Sequence, residues 1–411
     1  MSIEKNVPEI RFKGFSGEWN EERIQELIDR QAIIGHLDGN HGELYPRANE
    51  FSNAGIPYIS ANDFVTGFMS FSGCKYLPTQ RALQFKKGIA KDGDILFAHN
   101  ATVGPVAKLT TSHDFVILST TATYFRCDNK TLINDYLLQA LSNKKFVEQY
   151  SRVMAQSTRN QVPITVQRKF SISIPENTSE QTQIGNYFQK LDALINQHQQ
   201  KHDKLSNIKK AILEKMFPKQ GETMPEIRFK GFSGEWQQRE FSDIATRVST
   251  HHQSTCLPCV EYEDIVAGKG RFNKDIHQKK TFKAGLKFEA DDVLFGKLRP
   301  YLKNWFLADF EGLAIGDFWV LRANNVASTF LFSLIQTNKF ELISNLSAGS
   351  KMPRSDWGLV SSSCFFIPKN ISESNEIGNY FQKLDALINQ HQQQIVKLNN
   401  IKQACLSKMF I

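Results

Sequence analysis

Ile184–Gln200 reads IGNYFQKLDALINQHQQ, and the same seventeen residues return unchanged at Ile377–Gln393. The likeness carries on through KLSNIKKAILEKMF (Lys204–Phe217) and KLNNIKQACLSKMF (Lys397–Phe410). In the first copy Ile184, Leu191, His198, Leu205 and Ile212 fall seven apart, with Tyr187, Leu194, Lys201 and Ile208 as the companion seam. The second copy gives Ile377, Leu384, His391, Leu398 and Cys405 beside Tyr380, Leu387, Gln394 and Ile401. No proline or glycine interrupts either run after Gly185 and Gly378. A heptad pattern held for about five heptads is sufficient for a coiled coil. His198 and His391 fall at mid-seam, where polar residues fix register at a cost in stability. The simplest partner for one helix is the other. An antiparallel pairing sets one body at either end about a pseudo-twofold axis, and about 34 residues rising 1.5 Å each make a rod of roughly 50 Å. The alternative is a helical hairpin that dimerises two copies of the chain.

A second repeat opens each half. PEIRFKGFSGEW stands at Pro8–Trp19 and again at Pro225–Trp236. Each half therefore runs from opening motif through a body to a long helix, and a period of about 200 residues marks a domain duplication rather than a solenoid. FPKQGETMP at Phe217–Pro225 is the natural linker. The bodies, Asn20–Pro175 and Gln237–Pro368, share only a skeleton. Ile56–Phe64 is echoed by Leu257–Ile265, Asp92–Phe97 by Asp291–Phe295, and the closing FSISIP by CFFIP. Short β-rich runs with Gly and Asp turns, plus helical stretches at Asp135–Val153 and Thr329–Asn345, predict mixed α/β bodies. In the opening motif, Arg11, Phe12, Lys13, Phe15 and Trp19 alternate aromatic with basic. They either touch nucleic acid or pin the segment onto something common to both halves.

The 411 residues carry 50 Lys+Arg against 42 Asp+Glu, a net charge of +8. With 41% hydrophobic residues the chain can bury sizeable cores, which excludes a disordered or low-complexity protein. No apolar run approaches the ~20 residues of a membrane span, and the N-terminus lacks an apolar signal core. Six cysteines in a chain this long make no disulfide framework, so a reducing cytoplasm is the expected setting.

Enzyme chemistry is sparse. None of the 13 prolines follows Asn or Asp or precedes Pro or Asp, which removes the Asn/Asp-Pro-Pro-aromatic signature of amino-methyltransferases and the Pro-Asp start of a common nuclease motif. There is no GxxxxGK[ST], GxGxxG or HExxH. Cys256-x-x-Cys259, with His251 and His252 upstream, resembles half a zinc site, but the second knuckle is missing. Ordinary thiols flanking a strand explain it as well, and no metal ligands are assigned.

Basic residues say more. Gly268–Lys303 holds ten Lys/Arg against four acids, among them Lys269, Lys280, Lys297, Arg299 and Lys303 in a setting with Tyr301 and Phe295. Such a run neutralises phosphates and, through arginine, reads guanine edges; a solvated lysine face is the competing reading. In the first body the parallel candidates are His99, Asn100 and Thr102 after the Asp-Ile-Leu-Phe strand, and Ser157, Thr158, Arg159 and Asn160 before the last strand. Asn suits adenine edges and Ser/Thr suit phosphates, against the plain alternative of polar loops in solvent. Ser60, Asn62, Tyr262, Ser350, Lys351 and Arg354 complete the DNA-binding candidates. Tyr187, Leu191, Leu194, His198, Leu205, Tyr380, Leu384, Leu387, His391 and Leu398 are those for the coiled coil and partner contact.

Two variable bodies, duplicated helices and PEIRFKGFSGEW openings together resemble the specificity subunit of a type I restriction–modification system. The resemblance covers the whole chain; it departs at Asp291-Asp292, where the family often has Gly-Asp, and at Glu373–Glu376, where the first copy has Glu180–Gln183. It implies two target recognition domains, 1–175 and 220–369, with helical repeats at 176–219 and 370–411. It implies further that each domain reads half of a split, asymmetric DNA target, with the helices as ruler. Two methyltransferase subunits carrying S-adenosylmethionine would dock on the repeats. Motor/nuclease subunits would use ATP and magnesium, and this chain would hold no cofactor and catalyse nothing. The competing classes are a scaffold or decoy that binds the subunits without reading sequence, and an enzyme with an unrecognised site.

Overall fold

The computed structural model describes residues 6–65, 67–277, 279, 283–346 and 352–410. The chain divides into two compact units, Met1–Gln197 with Gln394–Ile411, and His198–Gln393. The fold is mixed α/β, and each unit repeats one plan.

In the first unit a four-stranded sheet is ordered Ile33–Asp38, Ala122–Cys127, Ile95–Asn100, Thr102–Lys108. The second unit has the same order in Ala245–Val248, Phe318–Ala323, Val293–Gly296, Trp305–Leu307. A second sheet in each unit shares a parallel pair, Ile56–Ile59 with Val116–Leu118 and Cys259–Val260 with Gly312–Ala314, flanked by one antiparallel strand. Its fourth strand differs: Lys75–Leu77 adds beside Ile56–Ile59, whereas His251–His252 adds at the opposite edge, beside Gly285–Phe288. The closing strands Ser171–Ile174 and Cys364–Ile367 pair with the strands that follow the opening motifs, Asn20–Arg23 and Gln237–Glu240.

Buried carboxylates organise both sheets alike. Arg126 donates two bonds to Asp94 at 2.8 and 2.7 Å, and Arg322 donates two to Asp292 at 2.8 and 2.9 Å. The turn before each aspartate needs a left-handed residue, supplied by Gly93 (φ 86°) and, where the sequence departs from glycine, by Asp291 (φ 72°). Each expected helical stretch is broken into two, Asn134–Ala140 with Lys144–Ala155 and Ser328–Leu334 with Asn338–Ser344. The break has a local cause: Asn143 and Thr337 cap the second helix by accepting the amides of Phe146 and Phe340.

The long helices are Thr178–Lys215 and Ile371–Met409, of 38 and 39 residues. Within the first unit they run antiparallel, with Tyr187 against Cys405 and Lys402 Nζ 2.6 Å from Asp192. Within the second, Lys209 Nζ lies 2.6 Å from Asp385, and His198 Nδ1 meets His391 Nδ1 at 2.9 Å. Leu191, Leu384, Leu205 and Leu398 pack into the cores of their units, as does Tyr380. Leu194 and Leu387 do not hold the seam: each is 44% exposed. A straight helix drifts against a strict seven-residue repeat, and Ile388, one residue on, takes the inward place.

The opening motifs clamp these helices. Arg11 makes a bidentate pair with Glu180 (2.6 and 2.7 Å) and Arg228 with Glu373 (2.6 and 2.7 Å), both carboxylates being almost wholly buried. Phe12 packs edge-on to Tyr187 and Trp19 to Phe410; Phe229 and Trp236 repeat this on Tyr380 and Phe217. The amides of Ile10 and Ile227 donate to the carbonyls of Lys408 and Lys215 near the helix ends. Arg11, Phe12 and Trp19, with Arg228, Phe229 and Trp236 in the second copy, thus serve an intramolecular joint.

Removing one partner of a buried pair strands the other charge, at about 3–5 kcal/mol. Arg11→Ala and Arg228→Ala should therefore each lower the stability of their own unit by that amount in urea titrations, and a loss below ~1 kcal/mol would contradict the clamp. Gly378 lies against Thr329 and Phe330 so closely that an added Cβ would sit 2.5 Å from the Phe330 nitrogen, and Gly185 meets Asp135 and Tyr136 in the same way. Gly378→Ala should cost about 1–3 kcal/mol by overpacking, measured by the same titration; an unchanged midpoint would show that the helix can shift away freely.

Candidate nucleic-acid interface

In the first unit the strand Ile95–Asn100 turns into Thr102–Lys108 through Ala101, which adopts φ 63°. Left-handed backbone is uncommon outside glycine and marks a position the surroundings enforce. The enforcing bonds are visible: the Ala101 amide donates to the Asn160 carbonyl at 3.0 Å, Val162 N–H to the His99 carbonyl at 2.8 Å, and His99 N–H to the Thr121 carbonyl at 3.0 Å. The second unit builds the same joint. Arg299 (φ 50°) donates to Pro353 O at 2.8 Å, Ser355 to Lys297 O at 2.8 Å, and Lys297 to Asp317 O at 2.9 Å. Isolated bridges match too, Asn100 with Gln161 and Leu298 with Arg354. One backbone knuckle is thus formed twice, with different side chains mounted on it.

Several sequence candidates converge here. Asn100, Thr102 and Asn160 belong to the first knuckle, with the exposed Ser157, Thr158 and Arg159 on the loop leading into it. Ser60 donates to Asp63 at 2.7 Å in a turn whose exposed tip is Asn62, and Ala61 N–H joins this turn to Thr121 Oγ1 at 2.9 Å. Tyr262 occupies the matching turn of the second unit: its hydroxyl donates to the Asp317 carbonyl and accepts the Leu298 amide at 3.1 Å. Burial raises the Tyr262 pKa, keeping the phenol protonated for that bond. Tyr301 follows Arg299 and is exposed. Ser350, Lys351 and Lys280 lie outside the described residues.

Two sets of candidates are less free than the sequence alone suggests. His99 is buried, 2% exposed as a residue, with both ring nitrogens lacking a hydrogen-bond partner among the described residues, and burial lowers its pKa. Only its backbone serves the knuckle. The basic run, moreover, is largely neutralised within the unit. Asp317 holds Lys297 (3.5 Å) and Arg354 (3.0 Å), Glu341 holds Lys303 (2.6 Å), Glu311 holds Lys287 (2.6 Å), and the turn at Glu261–Asp264 holds Lys274 and Lys279. Arg299 is exposed and its side chain has no hydrogen bond or ion pair among the described residues. Sequence reading missed the hubs, Thr121 and Asp317, and also Gln167, whose amide donates to the Val162 carbonyl (2.9 Å) and to Thr123 Oγ1 (3.1 Å) beneath the first knuckle. Nothing local in the sequence flags them, because each acts through strand register.

Residues 18–207 match the family model for the type I restriction modification DNA specificity domain. That match spans just under half of the chain, and makes its first half similar to type I restriction–modification specificity domains. A curated relative, the type I restriction enzyme EcoDI specificity subunit of Escherichia coli, is 23% identical over 207 residues. That likeness spans 47% of this chain and 46% of the relative, about half of its length. The crystal structure of a type I restriction-modification system S subunit from M. genitalium superposes with a TM-score of 0.60 at 14% identity, covering 98% of this chain and 99% of that one; it supports the fold. Among the described residues no three His, Cys, Asp or Glu side chains converge as a metal site, and no helix is long and apolar enough to cross a membrane.

The buried histidine under the first knuckle gives a pH test. His36 meets Gln167 Oε1 at 3.1 Å, and burial lowers its pKa from 6.5 to about 4. The unfolded chain therefore binds a proton that the folded unit excludes, so stability is full above pH ~6.5 and falls as pH drops toward 4, by about 3 kcal/mol in the limit. Urea midpoints of the wild type should decline between pH 7 and 5, and His36→Gln should flatten the decline. Equal pH dependence in both proteins would contradict the assignment.

Proposed function

We propose that this chain is the sequence-reading subunit of a type I restriction–modification complex. Each body, 1–175 and 220–369, reads one half of a split DNA target, and the helical repeats 176–219 and 370–411 set the spacing. The observation that carries this reading is the repeated knuckle: one backbone joint, built twice, carrying His99-Asn100-Ala101-Thr102 in one unit and Lys297-Leu298-Arg299-Pro300 in the other. A shared frame with unlike side chains suits two readers of unlike sequence, so the target is asymmetric. Phosphate contacts position such a reader and base-edge contacts specify it.

The elements identical in the two halves suit a partner present in two copies, a methyltransferase subunit on each. Motor/nuclease subunits complete the assembly. S-adenosylmethionine, ATP and magnesium belong to those partners, the chemistry is adenine methylation and DNA cleavage, and this chain is non-catalytic in a cytoplasmic complex. Helices of 38 and 39 residues, each about 57 Å long at 1.5 Å per residue, suit a ruler for half-sites about 34–36 Å apart or more. Adding one helical turn after Gln200 and one after Gln393 should lengthen the spacer selected from a randomised duplex library while leaving both half-sites unchanged. Selection of the original spacer would remove the ruler, and selection of no motif would favour a scaffold that reads nothing.

A further inference from the structure

Most cations around the two knuckles are already committed. In the second unit Lys297 and Arg354 share Asp317, and Lys303 is held by Glu341. In the first, Arg168 lies 3.5 Å from the His36 ring, while Arg126 and Lys108, held by Asp94 and Asp135, belong to the other end of the same strands. On the knuckle segments themselves, two guanidinium groups stand apart. Arg159 is exposed beside Asn160, whose carbonyl receives the Ala101 amide, and Arg299 is exposed at the left-handed position itself. Neither side chain has a hydrogen bond or ion pair among the described residues. Each knuckle thus presents an arginine with its whole fork of donors unused, on backbone held by cross-links of 3.0 and 2.8 Å.

We infer that Arg159 and Arg299 are the base-reading arginines of the two half-sites, each meeting a guanine through its O6 and N7 atoms. The inference rests on the function proposed above and selects two residues from the wider set of candidates. The paired cations keep their acids and act as structure or as phosphate contacts. A free fork on a rigid joint has the bidentate geometry that guanine requires, and the fixed backbone leaves only side-chain rotamers to be ordered on binding. The two arginines sit on opposite arms of the knuckle, so the guanine should occupy different positions within the two half-sites.

The test is selection from a randomised duplex DNA library by the purified full-length chain and by Arg159→Ala, Arg299→Ala, Arg159→Lys and Arg299→Lys. The wild type should enrich a two-part motif. Arg159→Ala should reduce discrimination at one G·C pair of one half by about ten- to a hundred-fold, leaving the other half intact, and Arg299→Ala should do the converse. The lysine variants should retain more affinity than the alanine variants but not the discrimination. Both positions are exposed, so thermal melts of the variants should match the wild type. An unchanged motif in both alanine variants overturns the assignment, as does a uniform loss of affinity on every sequence with the salt slope reduced by about one, the signature of a phosphate contact. A wild type that enriches no motif overturns the proposed function and this assignment together, whereas a two-part motif that survives both alanine variants overturns the assignment alone.

Discussion

The buried bidentate pair between an opening-motif arginine and a glutamate in the first turns of a long helix is the constraint on which each unit depends. Glu180 is wholly buried and Glu373 nearly so, and a carboxylate in that position is stable only while its lone pairs are filled. Arg11 and Arg228 fill them, and each also donates to a carbonyl of its own motif, that of Gly17 or Gly234. In the second unit the Trp236 indole N–H adds a third donor to Glu373 at 3.2 Å; Trp19 in the first has its indole nitrogen unpartnered. The pair fixes where the body's first strand begins relative to the helix. The closing strand, the sheets and the knuckle then follow from that origin.

Such a joint has consequences for variability. Wherever the clamp, the Asp94/Asp292 pairs and the knuckle's backbone bonds remain, surface side chains can change without moving the frame. The two units illustrate this. Their first sheets have one strand order, their second sheets share three strands and differ in the fourth, and their knuckle side chains have nothing in common. Backbone hydrogen bonds carry the geometry, so they tolerate most residues, except proline at a donor position and where a left-handed turn limits the choice. Surfaces with different chemistry can therefore be mounted on one support.

Much of the architecture was legible in the sequence because duplication leaves a textual trace. PEIRFKGFSGEW and IGNYFQKLDALINQHQQ mark the ends of each half, and the heptads announce the helices. Detail finer than the repeat was less accessible. Asn143 and Thr337 each break a helix that apolar periodicity runs straight through, since a capping side chain outweighs a few periodic residues. Leu194 and Leu387 sit at heptad positions yet face solvent, because the helices do not keep a strict seven-residue repeat throughout. The candidate site was proposed from chemistry, and its geometry was not legible in the sequence. Arg299 and Lys297 look alike in a basic run, and only strand register brings Asp317 to Lys297 and leaves Arg299 free. His99 looks like a polar loop residue, whereas the sheet buries its ring.

The central claim is that two differently furnished readers on one chain specify two unlike half-sites. It is tested most directly by expressing the chain with the methyltransferase subunit proposed as its partner and mapping every methylated adenine in the host DNA by single-molecule sequencing. A single two-part motif, with unrelated halves and a spacer of fixed length, is the predicted result. A palindromic motif, a continuous one, or methylation without sequence preference would contradict it.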